Sequence, residues 1–142
     1  MAVRRQTAKP DSPLLADELA DLGRNLLAQN KGSEAEPLLR ECMAIRGKAA
    51  PDDWAHYDAM SLLGGALLGQ GRYAEAEPMI VPGYEGMKKR QAKIVGLDRS
   101  RMREAAERAV RLYEDWGKAE QAAVWKAKLR MPDLPADVFA RP

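Results

Sequence analysis

Apolar residues return along this chain at intervals of three and four. Leu15, Leu19, Leu22 and Leu26 are spaced 4, 3 and 4, and Ala35, Leu38, Cys42 and Ile45 are spaced 3, 4 and 3, so each set lines one face of a helix. Met60, Leu63 and Leu67 continue the pattern. So do Met102, Ala105, Ala109, Leu112 and Trp116, and then Ala122, Trp125 and Leu129. The spacing predicts six amphipathic helices and an all-α fold.

The helices are not independent of one another. Residues 22–39 (LGRNLLAQNKGSEAEPLL) align without gaps on residues 63–80 (LGGALLGQGRYAEAEPMI) at an offset of 41, with 9 of 18 positions identical. A fainter third copy places Trp116, Gly117, Lys118 and Ala122 over Gln70, Gly71, Arg72 and Ala76 at an offset of 46, its spacer five residues longer. A repeat of this length is one supersecondary unit that cannot cover its own apolar face, so neighbours must stack.

Boundary chemistry agrees. Ser12 before Pro13 reads as an N-cap followed by proline at the first helical position, where its missing N–H costs nothing. Ser33 with Glu36 reads as a capping box. Pro37 and Pro78 then fall near the end of a first turn. Asp52 or Asp53 is expected to open the second repeat and Asp98 or Ser100 the third, while Asn30, Gly71 and Gly117 suit the left-handed residue that ends a helix tightly. Pro82 and Gly83 interrupt an otherwise helical stretch, 79–93, so a kink is expected there; the alternative is a break near Val81 with a new helix from Gly83. Gly23 and Gly64 are expected where the two helices of a hairpin approach closely, with Ala35 and Ala76 facing them.

Gly64, Leu67, Gly71, Tyr73, Ala76 and the AEAEP run at 74–78 resemble the tetratricopeptide repeat, and the wide period is similar to its kinesin-light-chain-like subclass of longer repeats. Residues 51–70 also resemble repeat segments attached to bacterial serine/threonine kinases of planctomycete type. The resemblance covers about residues 13–130 and implies a right-handed α-solenoid of three antiparallel hairpins. We expect a mobile arm over 1–11, repeats over about 12–50, 51–97 and 98–130, and a proline-containing tail over 131–142 whose Leu134, Val138 and Phe139 are candidates to dock on the last repeat. Gly32 and Ala119 stand where Tyr73 supplies an aromatic in the middle copy, so the outer repeats are expected to be looser, with Trp116 and Trp125 filling the third.

The same resemblance implies a non-catalytic module that binds a peptide segment of a protein partner in a concave groove lined by the first helix of each repeat. By register the groove residues are Asp17, Ala20, Arg24 and Leu27, then Asp58, Ser61, Gly65 and Leu68, then Glu104, Glu107, Arg111 and Glu114. Arg24 and Arg111 would grip carboxylates. The lysine and asparagine clamp of chaperone-binding relatives is not evident. A homo-oligomeric scaffold pairing through exposed solenoid ends is the first competing expectation.

Composition narrows the chemistry. The 142 residues carry 23 Lys and Arg against 21 Asp and Glu, a formal charge of +2, which argues for neither nucleic acid nor a membrane surface. One Cys and one His, Cys42 and His56, exclude an internal disulfide and multi-cysteine or multi-histidine metal sites, and point to a reducing compartment. Cys42 reads as a small core hydrophobe and His56 as a structural group. No cofactor, metal or catalytic constellation is expected. The glycines at 64–69 lack the Lys and Ser/Thr of a phosphate-binding loop, and the paired acids Asp52 with Asp53 and Glu75 with Glu77 read as helix-start residues. The longest uncharged run, 59–71, is 13 residues, too short to span a bilayer, and no apolar region backs the charges of 1–10, so a cytoplasmic protein is expected; the resemblance to kinase-attached repeats implies a bacterial one. Residues 86–111 hold nine Lys or Arg and three acids. With no aromatic for base stacking, and with Glu104 and Glu107 in helical reach of Arg103, Arg108 and Arg111, this segment reads as a solvated helix and turn; weak nucleic-acid or phosphate binding there is the remaining alternative.

Overall fold

The computed structural model describes residues 12–130. Six α-helices run in order: α1 (Pro13–Ala28), α2 (Gly32–Ala49), α3 (Trp54–Gly69), α4 (Tyr73–Lys89), α5 (Ser100–Asp115) and α6 (Ala119–Arg130). Two 3-10 turns, Gln91–Lys93 and Gly96–Arg99, separate α4 from α5, and no strand occurs among the described residues. The expectations for 1–11 and 131–142 lie outside the described residues.

Consecutive helices pair as hairpins that stack in order, making an all-α solenoid. The first helices also touch one another, α1 on α3 and α3 on α5, far more than the second helices do. They therefore lie on the inside of the curve. The core is continuous through all three hairpins, from Leu15, Leu19, Leu39 and Cys42 through Leu62, Leu63, Leu67, Ile80 and Met87 to Leu112 and Trp125.

The three hairpin turns are built alike. Asn30, Gly71 and Gly117 have φ of 62°, 74° and 78°. In each turn the residue after the left-handed one donates to the carbonyl five residues behind it: Lys31 N–H to Leu26 O (2.9 Å), Arg72 N–H to Leu67 O (3.0 Å) and Lys118 N–H to Tyr113 O (2.8 Å). Each turn adds the shorter bond of the same motif, from Asn30 to Leu27, Gly71 to Leu68 and Gly117 to Glu114. The same residues then start the following helix, since Ala35, Ala76 and Ala122 donate to the carbonyls of Lys31, Arg72 and Lys118.

That geometry corrects the Ser33 capping box. Lys31 is the N-cap of α2, with no side-chain cap bond, so Ser33 already lies inside the helix. Pro37 and Pro78 consequently fall in the second turn of their helices rather than the first. At α1 the cap is as expected: Ser12 Oγ accepts from Leu15 N–H at 3.1 Å. Asp53 is the N-cap residue of α3, without a side-chain bond, and Ser100 is the first residue of α5 rather than its cap.

Helix α4 runs unbroken through Pro82, so no break occurs at Val81. Pro37, Pro78 and Pro82 are all exposed. The carbonyls that lose a donor to them face water, which supplies one. Gly83 has a packing reason: a Cβ there would sit 2.9 Å from Tyr57 O and from Ser61 N, so α4 can lie on α3 only with glycine at this position.

Gly23 and Gly64 do mark close approach within a hairpin, but the side chains nearest them are Leu39 and Ile80, not Ala35 and Ala76. The alanines are fully buried elsewhere in the same interfaces. In the third hairpin the equivalent position is Val110. Aromatics fill that end: Trp116 stacks on Tyr73 (6.0 Å) and Tyr113 (6.4 Å), and Trp125 meets Tyr84 edge-on at 4.9 Å. Gly32 is no simple loss of packing, because a Cβ there would lie 2.6 Å from Ala66 O, where α3 passes the first turn.

Candidate functional site

The inner face is built by α1, α3 and α5, with α3 flanked on both sides. Where α1 carries Arg24 and α5 carries Arg111, the repeat register puts Gly65 on α3. Long side chains from the outer helices reach over this gap. Arg24 Nη2 donates to both carboxylate oxygens of Glu104, at 2.9 and 3.0 Å, bridging the first repeat to the third across the second. Arg108 Nη2 lies 3.9 Å from the same carboxylate.

Beside this bridge opens a cavity of about 450 Å³, lined by Arg24, Leu27, Ala28, Asn30, Gly32, Gly65, Leu68, Gly69, Glu104, Glu107, Arg108 and Arg111. Glycines and leucines form its floor, and charges from α1 and α5 form its rim. Seven of the twelve expected groove residues meet here: Arg24, Leu27, Gly65, Leu68, Glu104, Glu107 and Arg111.

The other five do not. Ala20, Asp58 and Ser61 are buried, 2%, 1% and 0% exposed, which corrects their reading as open groove positions. The reason is their place on or against the middle helix, which both neighbours cover. Asp17 is exposed but pairs with Arg46 at 3.0 Å, and Glu114 pairs with Lys126 of α6 at 2.6 Å, outside the cavity lining.

Under the groove lies an ion network for which the sequence pattern gave no signal, since its members come from four helices. Arg101 Nη1 donates to Asp58 Oδ2 at 3.0 Å, and Arg46 Nη1 stands 3.7 Å from the same oxygen while donating to Ala55 O at 3.0 Å. Arg108 Nη1 donates to Ser61 Oγ at 3.0 Å. Asp58 Oδ1 is buried without a hydrogen-bond partner. Burial pushes the Asp58 carboxyl up, against the guanidinium groups of Arg101, Arg108, Arg46 and Arg24; burial likewise pulls Arg108 down, against Asp58 and Glu104. Two repeats adjoining the middle one thus contribute cations to a single buried anion.

The remaining candidate chemistry resolves into packing. Cys42 is fully buried, its thiol donating to Ala16 O at 3.3 Å and pushed up to about 11 by burial, so little reactive thiolate forms near neutral pH. His56 Nδ1 is 3.0 Å from Pro51 O beside the start of α3. Residues 64–69 are helical, not a phosphate loop. Glu75 pairs with Arg72 at 2.7 Å, and Glu77 accepts a 2.6 Å hydrogen bond from Tyr113, whose phenol is held above its usual range by burial first and by that bond second. Glu36 accepts from Gln70, Arg40 and Arg72, which hold its carboxyl below the usual range. No group of three or more potential metal ligands occurs among the described residues, and none of their helices is long and apolar enough to cross a membrane.

Stacked helical hairpins presenting a cavity along their inner face define a helical-repeat scaffold. The family model for the tetratricopeptide repeat matches residues 16–53, spanning α1 from Ala16, the Asn30 turn, α2 and the spacer to Asp53. The first hairpin thus matches a tetratricopeptide repeat, and the stacked hairpins that follow it are consistent with a helical-repeat protein of that kind; such repeats generally mediate protein–protein interactions and are typically non-catalytic. No curated protein matches the chain.

Proposed function

We propose that this chain is a non-catalytic interaction module that seats a peptide segment of a partner protein in the cavity between Leu27, Gly65 and Leu68. The supporting observation is the cavity itself, about 450 Å³ on the inner face, with an apolar floor and a rim carrying Arg24, Glu104, Glu107, Arg108 and Arg111. Sites of this size take one or two side chains rather than a long stretch of chain. The floor lacks a side chain at Gly69, where a Cβ would meet only Gly32 Cα at 3.8 Å, so an apolar anchor reaches the helix backbone there, beside Gly65 which Leu27 and Arg108 cover, while the rim offers charges of both signs to flanking residues.

A plug tests the reading. A Cβ at Gly69 would meet only Gly32 Cα, at 3.8 Å, so Gly69→Trp directs its ring toward the cavity without invading the core. Peptides selected from a displayed library on the intact chain, measured by fluorescence anisotropy, are expected to lose about tenfold or more in affinity on Gly69→Trp, because removing one buried anchor costs on the order of 1.4 kcal/mol or more. Ala44→Trp, on an exposed position of α2, serves as the control. Equal affinity for the parent and Gly69→Trp would place the peptide elsewhere.

A further inference from the structure

The spacer between the first two hairpins is residues 50–53, whereas that between the second and third is residues 90–99. The longer connection is held in one shape. Arg90 donates to Asp52 O and, at 3.0 Å, to Gly86 O, with its guanidinium 4.5 Å from the Tyr57 ring centroid. Ile94 is buried, 3% exposed, and Ser100 Oγ donates to Leu97 O at 3.2 Å. Asp98 N–H closes a turn on Val95 O at 3.2 Å. The turn pivots on Gly96, φ 62°.

On either side of that glycine stand Val95, 66% exposed, and Leu97, 96% exposed. Single exposed apolar side chains are ordinary, but two presented on a pinned turn form a small wedge. Lys88, Lys89, Lys93 and Arg99 are exposed around them in the sequence, and the one acid of the stretch 88–99, Asp98, lies 3.8 Å from Arg101. The whole-chain charge of +2 conceals this local excess.

Apolar side chains at the tip of a basic turn match the water-to-hydrocarbon boundary of an anionic bilayer, where lysines meet headgroups and the wedge enters the acyl region. Phosphate binding alone gives Val95 and Leu97 no role, and the stretch has no aromatic to stack on bases. We propose that the 90–99 turn is a peripheral docking site for an anionic lipid surface, with Val95 and Leu97 inserting and Lys88, Lys89 and Lys93 supplying the charge. This surface is independent of the inner-face cavity.

Flotation of the full chain with vesicles of about two parts phosphatidylcholine to one part phosphatidylglycerol tests it, at low and at physiological salt. Binding is expected to these vesicles and not to pure phosphatidylcholine. Val95→Asp with Leu97→Asp, both at exposed positions, is expected to weaken it about tenfold or more, and Lys88→Glu, Lys89→Glu and Lys93→Glu together about a hundredfold. Absence of vesicle binding, or binding unchanged by the Val95→Asp/Leu97→Asp pair, overturns the proposal. So does heparin binding as tight as vesicle binding, which would make the turn a plain polyanion site. Capture of an acidic protein in place of vesicles would likewise assign the wedge to a protein partner.

Discussion

Gly23 and Gly64 occupy the same position in successive repeats, yet a methyl group added at each meets a different obstacle. At Gly23 the new Cβ overlaps only the Leu39 side chain, Cδ2 and Cγ, which a shift of that buried side chain within the core relieves without moving backbone. At Gly64 it overlaps Ile80 Cγ1 and also lies 3.0 Å from Ile80 N and 3.1 Å from Met79 Cβ, atoms that move only if α4 moves. Replacing a helical glycine by alanine gains about 1 kcal/mol of helix propensity, whereas overpacking costs about 1–3 kcal/mol. For Gly23→Ala the two nearly cancel, leaving the variant within about 1 kcal/mol of the parent. For Gly64→Ala the overpacking prevails, by about 1–2 kcal/mol, and Gly64→Leu costs about 3 kcal/mol or more. Each kcal/mol displaces the melting temperature of a domain this size by roughly 3–6 °C. Far-ultraviolet circular dichroism melts read the difference directly. Ile80→Ala removes the Cγ1 obstacle but not the backbone one, so the Gly64→Ala penalty shrinks in that background without vanishing. A Gly64→Ala protein as stable as Gly23→Ala would refute the argument that backbone proximity, not glycine's place in the repeat, sets the cost.

The hairpin turns give a second contrast: Gly71→Ala and Gly117→Ala each cost about 1 kcal/mol although nothing lies within 4 Å of either position, because φ there is positive. Gly69→Ala, helical and meeting only Gly32 Cα at an ordinary 3.8 Å, gains up to about as much, and urea midpoints that rank Gly71→Ala level with Gly69→Ala would exclude conformational strain as the cause. Cys42 predicts an alkaline limb: its thiol is raised from 9.0 to about 11 in the fold, so the folded chain holds a proton the unfolded chain has released. Stability therefore falls by about 2–3 kcal/mol as pH rises through that interval, and Cys42→Ala removes this slope; parallel alkaline unfolding curves for parent and variant would contradict it.

What the sequence made legible was local. Helical periodicity and the 41-residue offset located six helices, and the residue types at Asn30, Gly71 and Gly117 located the left-handed turns that the backbone adopts. The failure at Ser33 is instructive because the motif was present. Lys31 closes the turn on Leu26 and also opens α2, so the preceding helix end, not the Ser33 hydroxyl, fixes where α2 begins. Pro82 does not break its helix for a related reason: a proline weakens a helix through its missing donor, and on an exposed face water satisfies the carbonyl left behind. The groove was half legible. Register placed Arg24, Gly65 and Glu104 on one face, but whether a polar residue on that face is open or buried depends on the helices beside it, which no single-helix pattern contains. Asp58 and Asp17 share a repeat position, and only the first is covered by a neighbour on each side.

The middle helix explains why the cavity has its shape. Gly64 and Gly65 are adjacent and point about 100° apart on α3, one allowing α4 to approach, the other leaving room on the inner face into which the Arg108 and Leu27 side chains pack. The second repeat therefore contributes Leu68 and two glycines without side chains, Gly65 and Gly69, and the first and third contribute the charges that span it. Arg24 of α1 reaches Glu104 of α5 across α3, Arg108 packs against Gly65, and Arg108 lies against Ser61 only when α5 is packed on α3. An isolated hairpin would present neither the floor nor the rim. The cavity is a property of three stacked repeats, held by the continuous apolar core and tied beneath the groove by the Asp58 network: Arg46 arrives from one side, Arg101 from the other, and both converge on one buried carboxylate.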